Sequence, residues 1–186
     1  FINDKKNKNN YKENFSINFS GSEIRAKYEK VDKLFKFNSE KSQLNNHTFN
    51  FKGKVITSPF YYNLDVDLET INVIKLVKSL SKLKNFLDEK LLLNENLNGA
   101  ITININSLKG IKFFDKAKIE LKIVNGKLVF DNSLLESKKI GRILFTDAFL
   151  EIEGNRTIFK SKILFHILNQ KKFYQKLLIS KNDRIE

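Results

Sequence analysis

Apolar and polar residues alternate with period two along most of this chain. Phe15, Ile17 and Phe19 are interleaved with Ser16, Asn18 and Ser20, and Ile24, Ala26 and Tyr28 with Arg25, Lys27 and Glu29. Successive side chains of a strand point to opposite faces, so each such run predicts a strand with one apolar and one wet side. The clearest runs are FYYNLDVDL (60–68), with Phe60, Tyr62, Leu64, Val66 and Leu68 on one side, and AITININ (100–106), with Ile101, Ile103 and Ile105. KLFKF, HTFNFKGKVI, GRILFTD, AFLEIEG and RTIFKSKILFHI add further strands. Gly53 is expected to mark a bulge or bend, and Pro59, which has no amide hydrogen, a break between strands. NQKKFYQKLLIS near the end fits both a helical turn and a strand.

The stretch IELKIVNGKLVFDNS (119–133) reads as a hairpin. Asn-Gly best tolerates the two positive-φ positions of a type I′ turn, so Asn125-Gly126 sets Val124 opposite Lys127 and Ile123 opposite Leu128. Leu121 then faces Phe130. These four apolar side chains share one side, and Glu120, Lys122, Val124, Lys127, Val129 and Asp131 share the other.

Between about Thr70, an N-cap candidate, and Leu87 the period changes. Val73, Leu76, Val77, Leu80, Leu83 and Leu87 fall on one stripe of an amphipathic helix over about 70–87. The whole pattern gives roughly nine or ten strands and one substantial helix. Nine strands at ~4.8 Å spacing make a sheet about 43 Å wide, whereas a helix about 10 Å across covers roughly two strands. Most of the apolar face needs another cover. The sheet can fold on itself as a sandwich or barrel, pack on other parts of a parent protein, or curl into a trough filled by a ligand. Periodicity alone leaves the three open.

Composition changes this picture modestly. At 186 residues the chain can bury a real core, and a first residue other than Met with a polar start, FINDKKNKNNYKEN, is expected of a fragment of a longer chain. Residues 1–14 read as a polar lead-in open to disorder, and 15–186 as a single β-rich domain. The net charge of +13 comes almost wholly from lysine, the arginines being Arg25, Arg142, Arg156 and Arg184. Together with plentiful Asn and Ile, this resembles the codon bias of an AT-rich genome more than selection for anionic partners. Without cysteine there is no disulfide and no thiolate metal site. No apolar run approaches the roughly 18 residues that span a bilayer, and no signal peptide is evident.

Enzymatic chemistry finds little support. His47 and His166 lie on separate strand-like segments without a nucleophile or metal-binding spacing nearby. Asp65 and Asp67 share one side of a strand, where a cation or an acid–base pair is conceivable and a solvated face is the plainer reading. Gly99, Gly126, Gly141 and Gly154 sit at expected turns or strand starts and cradle no phosphate. The expectation is a protein that is not an enzyme and takes no cofactor and no metal. A nucleic-acid-binding β domain is a rival class, since KLFKF and KKFYQK interleave lysine with aromatics. Scattered lysines and scarce arginine argue against it. A structural β-scaffold that spaces or docks other proteins is the other alternative.

FKGKVITSPFYYNLDVDLETINVIKLVKSL (51–80), LNGAITININ (97–106), FDKAKIELKIVNGKLVFDNS (114–133), IGRILFTDAFLEIEG (140–154) and KKFYQKLLISKNDR (171–184), taken in this order, resemble the C-terminal region of AsmA-like proteins. The resemblance implies a segment of an envelope protein of double-membraned bacteria, periplasmic and anchored in the inner membrane through the parent chain. It also implies a repeated β-groove, as in bridge-like lipid-transfer proteins, that conducts phospholipid acyl chains toward the outer membrane. Envelope protein partners are a further implication of the resemblance. FINDKKNKNNYKEN has no counterpart in that pattern.

Pattern and resemblance together give the expected fold. It is mainly β, a β-rich α+β arrangement with a curved antiparallel sheet forming an open hydrophobic groove and one substantial amphipathic helix. The expected groove lining is Phe60, Tyr62, Leu64, Val66, Ile101, Ile103, Ile105, Leu121, Ile123, Leu128 and Phe130. For each of these, a place in a closed core is the alternative.

Overall fold

A computed structural model describes residues 10–19, 22–44, 47–75, 96–153, 156–176 and 178–180. Alternation is expressed as a meander: β1 (Asn10–Phe19), β2 (Ser22–Val31), β3 (Leu34–Leu44), β4 (His47–Thr57) and β5 (Phe60–Leu68) are consecutive antiparallel neighbours. Pro59 falls in the turn between β4 and β5, where no ladder donor is needed. The chain then makes β6 (Ile71–Asn72), leaves the sheet, and returns as β7 (Gly99–Ile105), parallel to β5. A short β8 (Leu108–Lys109) pairs with β6. β9 (Lys116–Val124), β10 (Lys127–Val129), β11 (Leu134–Ser137), β12 (Gly141–Glu153) and β13 (Arg156–Ile167) complete the sheet, and α1 (Gln170–Lys176) follows.

The product is one large curved mixed sheet. β10 and β11 both lie between β9 and β12, so they occupy one strand position interrupted at residues 130–133. Ten strand positions at ~4.8 Å separate the outermost axes by about 43 Å. β1 and β13 are the two edges and do not pair with each other among the described residues. The described sheet is thus not closed as a barrel, and among the described residues the only second sheet is the two-residue pairing of β6 with β8.

Several expectations are refined. The sheet is mixed and not wholly antiparallel, because the excursion over 69–98 carries the chain back to the end from which β5 started. The expected helix over 70–87 lies mostly outside the described residues. Its start is shifted: Ile71 and Asn72 pair with β8, residues 73–75 are helical, and Asn72 Oδ1, not Thr70, accepts the N–H of Lys75 at 3.1 Å. Residues 10–14 of the expected lead-in belong to β1, held by Lys12–Glu29 at 3.3 Å and by Tyr28 Oη donating to Glu13 at 3.2 Å. Gly53 lies in regular register and forms no bulge. A Cβ there would come within 2.7 Å of the Asn63 carbonyl oxygen, so close approach of β5 is what requires glycine. GRILFTD and AFLEIEG form the single strand β12, bulged between Thr146 and Phe149, with Asp147 at φ 50°.

The hairpin forms as its turn chemistry predicts. Asn125 and Gly126 have φ of 50° and 71°, and Val124 faces Lys127 and Ile123 faces Leu128. α1 resolves the ambiguous NQKKFYQKLLIS: Asn169 Oδ1 accepts the Lys172 N–H at 2.9 Å, a capping bond available to a helix and not to a strand.

Candidate functional site

In a regular ladder, residues directly opposite one another project from the same face. Register therefore connects the apolar positions of separate strands. Phe35 faces Val55, Val55 faces Tyr62, Tyr62 faces Gly99, and Gly99 faces Ile123. Ile123 faces Leu128, Leu128 faces Leu150, and Leu150 faces Phe159 at the far edge. A parallel row runs through Phe51, Val66, Ile103 and Ile119. One face of the sheet is apolar from β3 to β13.

Ten of the eleven expected lining residues fall on this face. Leu64, Ile101 and Leu121 are consecutive cross-strand partners, as are Val66 and Ile103, while Ile105 faces Leu68 and Phe60 opens β5 on the same side. Phe130 lies just beyond β10, where its N–H donates to the Ala148 carbonyl at 2.6 Å. Its ring meets Phe159 edge-on at 6.1 Å, and with Tyr62, Leu97, Leu121 and Leu150 it packs on the buried pair Ile123 and Leu128.

Burial grades along this face. Ile105 and Ile123 are 4% exposed, Leu64, Val66, Ile101, Ile103 and Leu121 are half-buried, and Phe60 is exposed. Among the described residues the largest fully buried side chain is only that of Ser42. A closed sandwich would bury its large apolar side chains completely, and this face does not.

The aromatic half of the face extends beyond the expected lining. Phe35 stacks on Phe37 at 6.5 Å, Phe49 on Phe51 at 6.0 Å, and Phe60 meets Tyr62 at 6.2 Å, each pair two residues apart on one strand. At the other edge Phe159, Ile163, Phe165 and Ile167 project from β13 and are exposed. The i, i+2 spacing was visible in each strand, but only cross-strand register places these residues on one surface. Tyr62 lies over Gly99, where a Cβ would come within 2.5 Å of its ring, and burial pushes its phenol above the ordinary value.

The opposite face is wet. Asp65 lies 4.0 Å from Lys52, and Asp67 accepts from Asn104 Nδ2 at 2.8 Å. Lys127 and Lys160 flank the Phe149 ring at 5.2 and 5.6 Å and both pair with Glu151. The hydrogen bonds from Lys127 and then Lys160 hold the Glu151 carboxyl below its usual range. His47 opens β4 and His166 lies near the end of β13, both exposed. Among the described residues no group of three or more His, Asp or Glu is placed to hold a metal ion, and no helix is long and apolar enough to cross a membrane. No family model, curated protein or solved structure matches this chain.

Proposed function

We propose that this chain binds phospholipid acyl chains along its apolar sheet face and conducts them without covalent chemistry, as a segment of an AsmA-like envelope protein. The observation that carries the reading is the row from Phe35 through Val55, Tyr62, Gly99, Ile123, Leu128 and Leu150 to Phe159, on a face where Leu64, Val66, Ile101, Ile103 and Leu121 are only half-buried. An acyl chain leaving water for such a surface gains ~0.8 kcal/mol per buried methylene. Similar polarity along the face offers a chain no deep trap, so it slides from one strand to the next. The setting that agrees with this role is the periplasm, with an inner-membrane anchor supplied by the parent chain. Lysines on the wet face then meet anionic headgroups or envelope partners.

The test is native mass spectrometry of the purified protein with analysis of extracted lipid, alongside a Leu64→Asp, Ile101→Asp variant that alters one half-buried cross-strand pair. Stoichiometric phospholipid on the parent, lost in a variant with unchanged circular dichroism, supports the groove. A lipid-free parent and a variant that unfolds return the face to a closed core and favour the scaffold.

A further inference from the structure

β13 closes one side of the sheet, and after Ile167 the chain does not turn back as another strand. Asn169 Oδ1 instead caps α1, whose Phe173 packs edge-on against Phe165 at 6.1 Å. Main-chain groups of successive strand residues point to opposite sides. Leu168 N–H donates to the Ile140 carbonyl at 2.8 Å, so the even-numbered residues of β13 turn theirs to β12 and the odd-numbered ones turn theirs outward. No described strand takes up those outward groups.

The two edges of the sheet differ in how they are guarded. Exposed edges are ordinarily protected by lysines or by a charge pointing inward. β1 has such a charge: Glu13 faces Tyr28, which faces Phe37, in a row that runs on through Gly53 to Leu64 on the apolar side. On β13 the odd-numbered side chains stand on that apolar side without a charge among them, and Phe159, Ile163, Phe165 and Ile167 are between 40% and 56% exposed. Its lysines are turned back onto β12, Lys160 to Glu151 and Glu153, both at 3.1 Å, and Lys162 to Asp147 at 2.6 Å.

We propose that β13 pairs antiparallel with β13 of a second copy of this chain, about a two-fold axis at Ile163. Centred there, the ladder sets Phe159 opposite Ile167 of the second copy, and Ser161 opposite Phe165, where the small serine leaves room for Phe173. On the wet face Lys162 meets Leu164 and Lys160 meets His166. Centring on Ser161 or Lys162 would set lysine against lysine, which is destabilising, and centring on Leu164 would place Phe159 beyond the end of the opposite strand. β1 of a second copy is the poorer match. Through the intervening pairings β1 and β13 run in the same direction, so with their apolar sides together they would meet in parallel, beside Glu13, and the row of copies would not close. A two-fold pair stops at two copies, joins their apolar faces and leaves the guarded β1 edges outermost. The pairing goes beyond acyl-chain binding and does not depend on it.

Analytical sedimentation of the chain over a range of concentrations tests the pairing. The expected species is a dimer of the 21.8 kDa chain that dissociates on dilution. Ile163→Lys opposes two like charges at the axis and raises the dissociation constant about tenfold or more, with unaltered circular dichroism. Ile17→Lys, at a similarly exposed position on β1, keeps the dimer. The chain has no cysteine of its own, and opposed residues that exchange both hydrogen bonds lie about 5.5 Å apart, within disulfide reach. Ile163→Cys is therefore expected to cross-link into a covalent dimer on mild oxidation and Ile17→Cys to remain uncross-linked; this pair decides the matter should the lysine variant unfold. A chain that stays monomeric, assemblies that grow beyond two copies, a dimer unaffected by Ile163→Lys, or one that Ile163→Cys fails to cross-link overturns the proposal. A dimer that purifies without phospholipid would support this pairing and reject the groove, whereas a monomer carrying phospholipid would do the reverse.

Discussion

Ser133 completes the ladder of Glu120 with its side chain: its Oγ accepts the Glu120 N–H at 3.0 Å and donates to the Glu120 carbonyl at 3.3 Å. Ser42 does the same for Arg25, at 3.0 and 3.1 Å. Each serine follows a residue of positive φ, Asn132 at 65° and Lys41 at 57°, where the strand is interrupted or bulged. A hydroxyl that donates once and accepts once substitutes for the missing strand residue. Ser133→Ala is expected to cost about 1–3 kcal/mol, because two backbone groups lose their partner together. Ser42→Ala should cost at least as much, since Ser42 is fully buried and also bonds Ser39. Urea midpoints of the two variants check this.

Gly99 is required by Tyr62. In Gly99→Ala the new methyl displaces the ring that covers it, with an expected loss of about 1–3 kcal/mol. The same displacement hydrates the phenol, so its pKa should fall back toward 10.0 from the raised value that burial imposes. Ultraviolet titration of the parent and of Gly99→Ala reads both positions, and an unmoved phenol would refute the link.

Glu151 gives a pH dependence of definite sign. Its folded-state pKa lies below the ordinary 4.5, so the stabilising contribution is present above that value and is lost as pH falls through the lowered one. Glu151→Gln is therefore expected to lower the urea midpoint at about pH 7, by an amount that shrinks progressively toward about pH 3. A difference between parent and variant that stays constant with pH would show that the Lys127 and Lys160 contacts do not act through the carboxylate charge.

Truncation should separate anchored from open positions on the apolar face. Ile123→Ala removes a buried side chain from the pair with Leu128 and is expected to cost about 2–5 kcal/mol. Ile103→Ala, on the half-buried stretch, should cost clearly less, about 1–2 kcal/mol. Similar losses at both positions, measured by denaturant unfolding, would mean that the face is closed.

What the sequence disclosed was whatever is decided locally. The Asn125-Gly126 turn fixed its own hairpin register, and the alternation in 60–68 and 100–106 placed Tyr62, Leu64, Ile101 and Ile103 on one side of their strands. What it withheld depends on partners distant along the chain. β7 lies parallel to β5 because of how the intervening excursion returns, which no periodicity records. GRILFTD and AFLEIEG read as two segments, yet they form one strand, and Asp147 at their junction, a non-glycine residue at φ 50°, serves a bulge within it. Phe49 and Phe51 join the lining only because Leu68 and Val66 stand opposite them, and Ser133 gains its role only because Glu120 is unmatched between β10 and β11.

The rows of paired residues constrain position more than identity. Valine, isoleucine, leucine and phenylalanine already succeed one another along Val55, Ile123, Leu128 and Phe159, so exchanges among them leave the surface intact. Parity is not negotiable in the same way. Losing the single residue Thr102 would turn Ile103 and Ile105 outward and bring Asn104 in, whereas replacing either isoleucine by leucine would change little. This surface can therefore drift widely through substitution while remaining intolerant of insertions and deletions of one residue inside its strands.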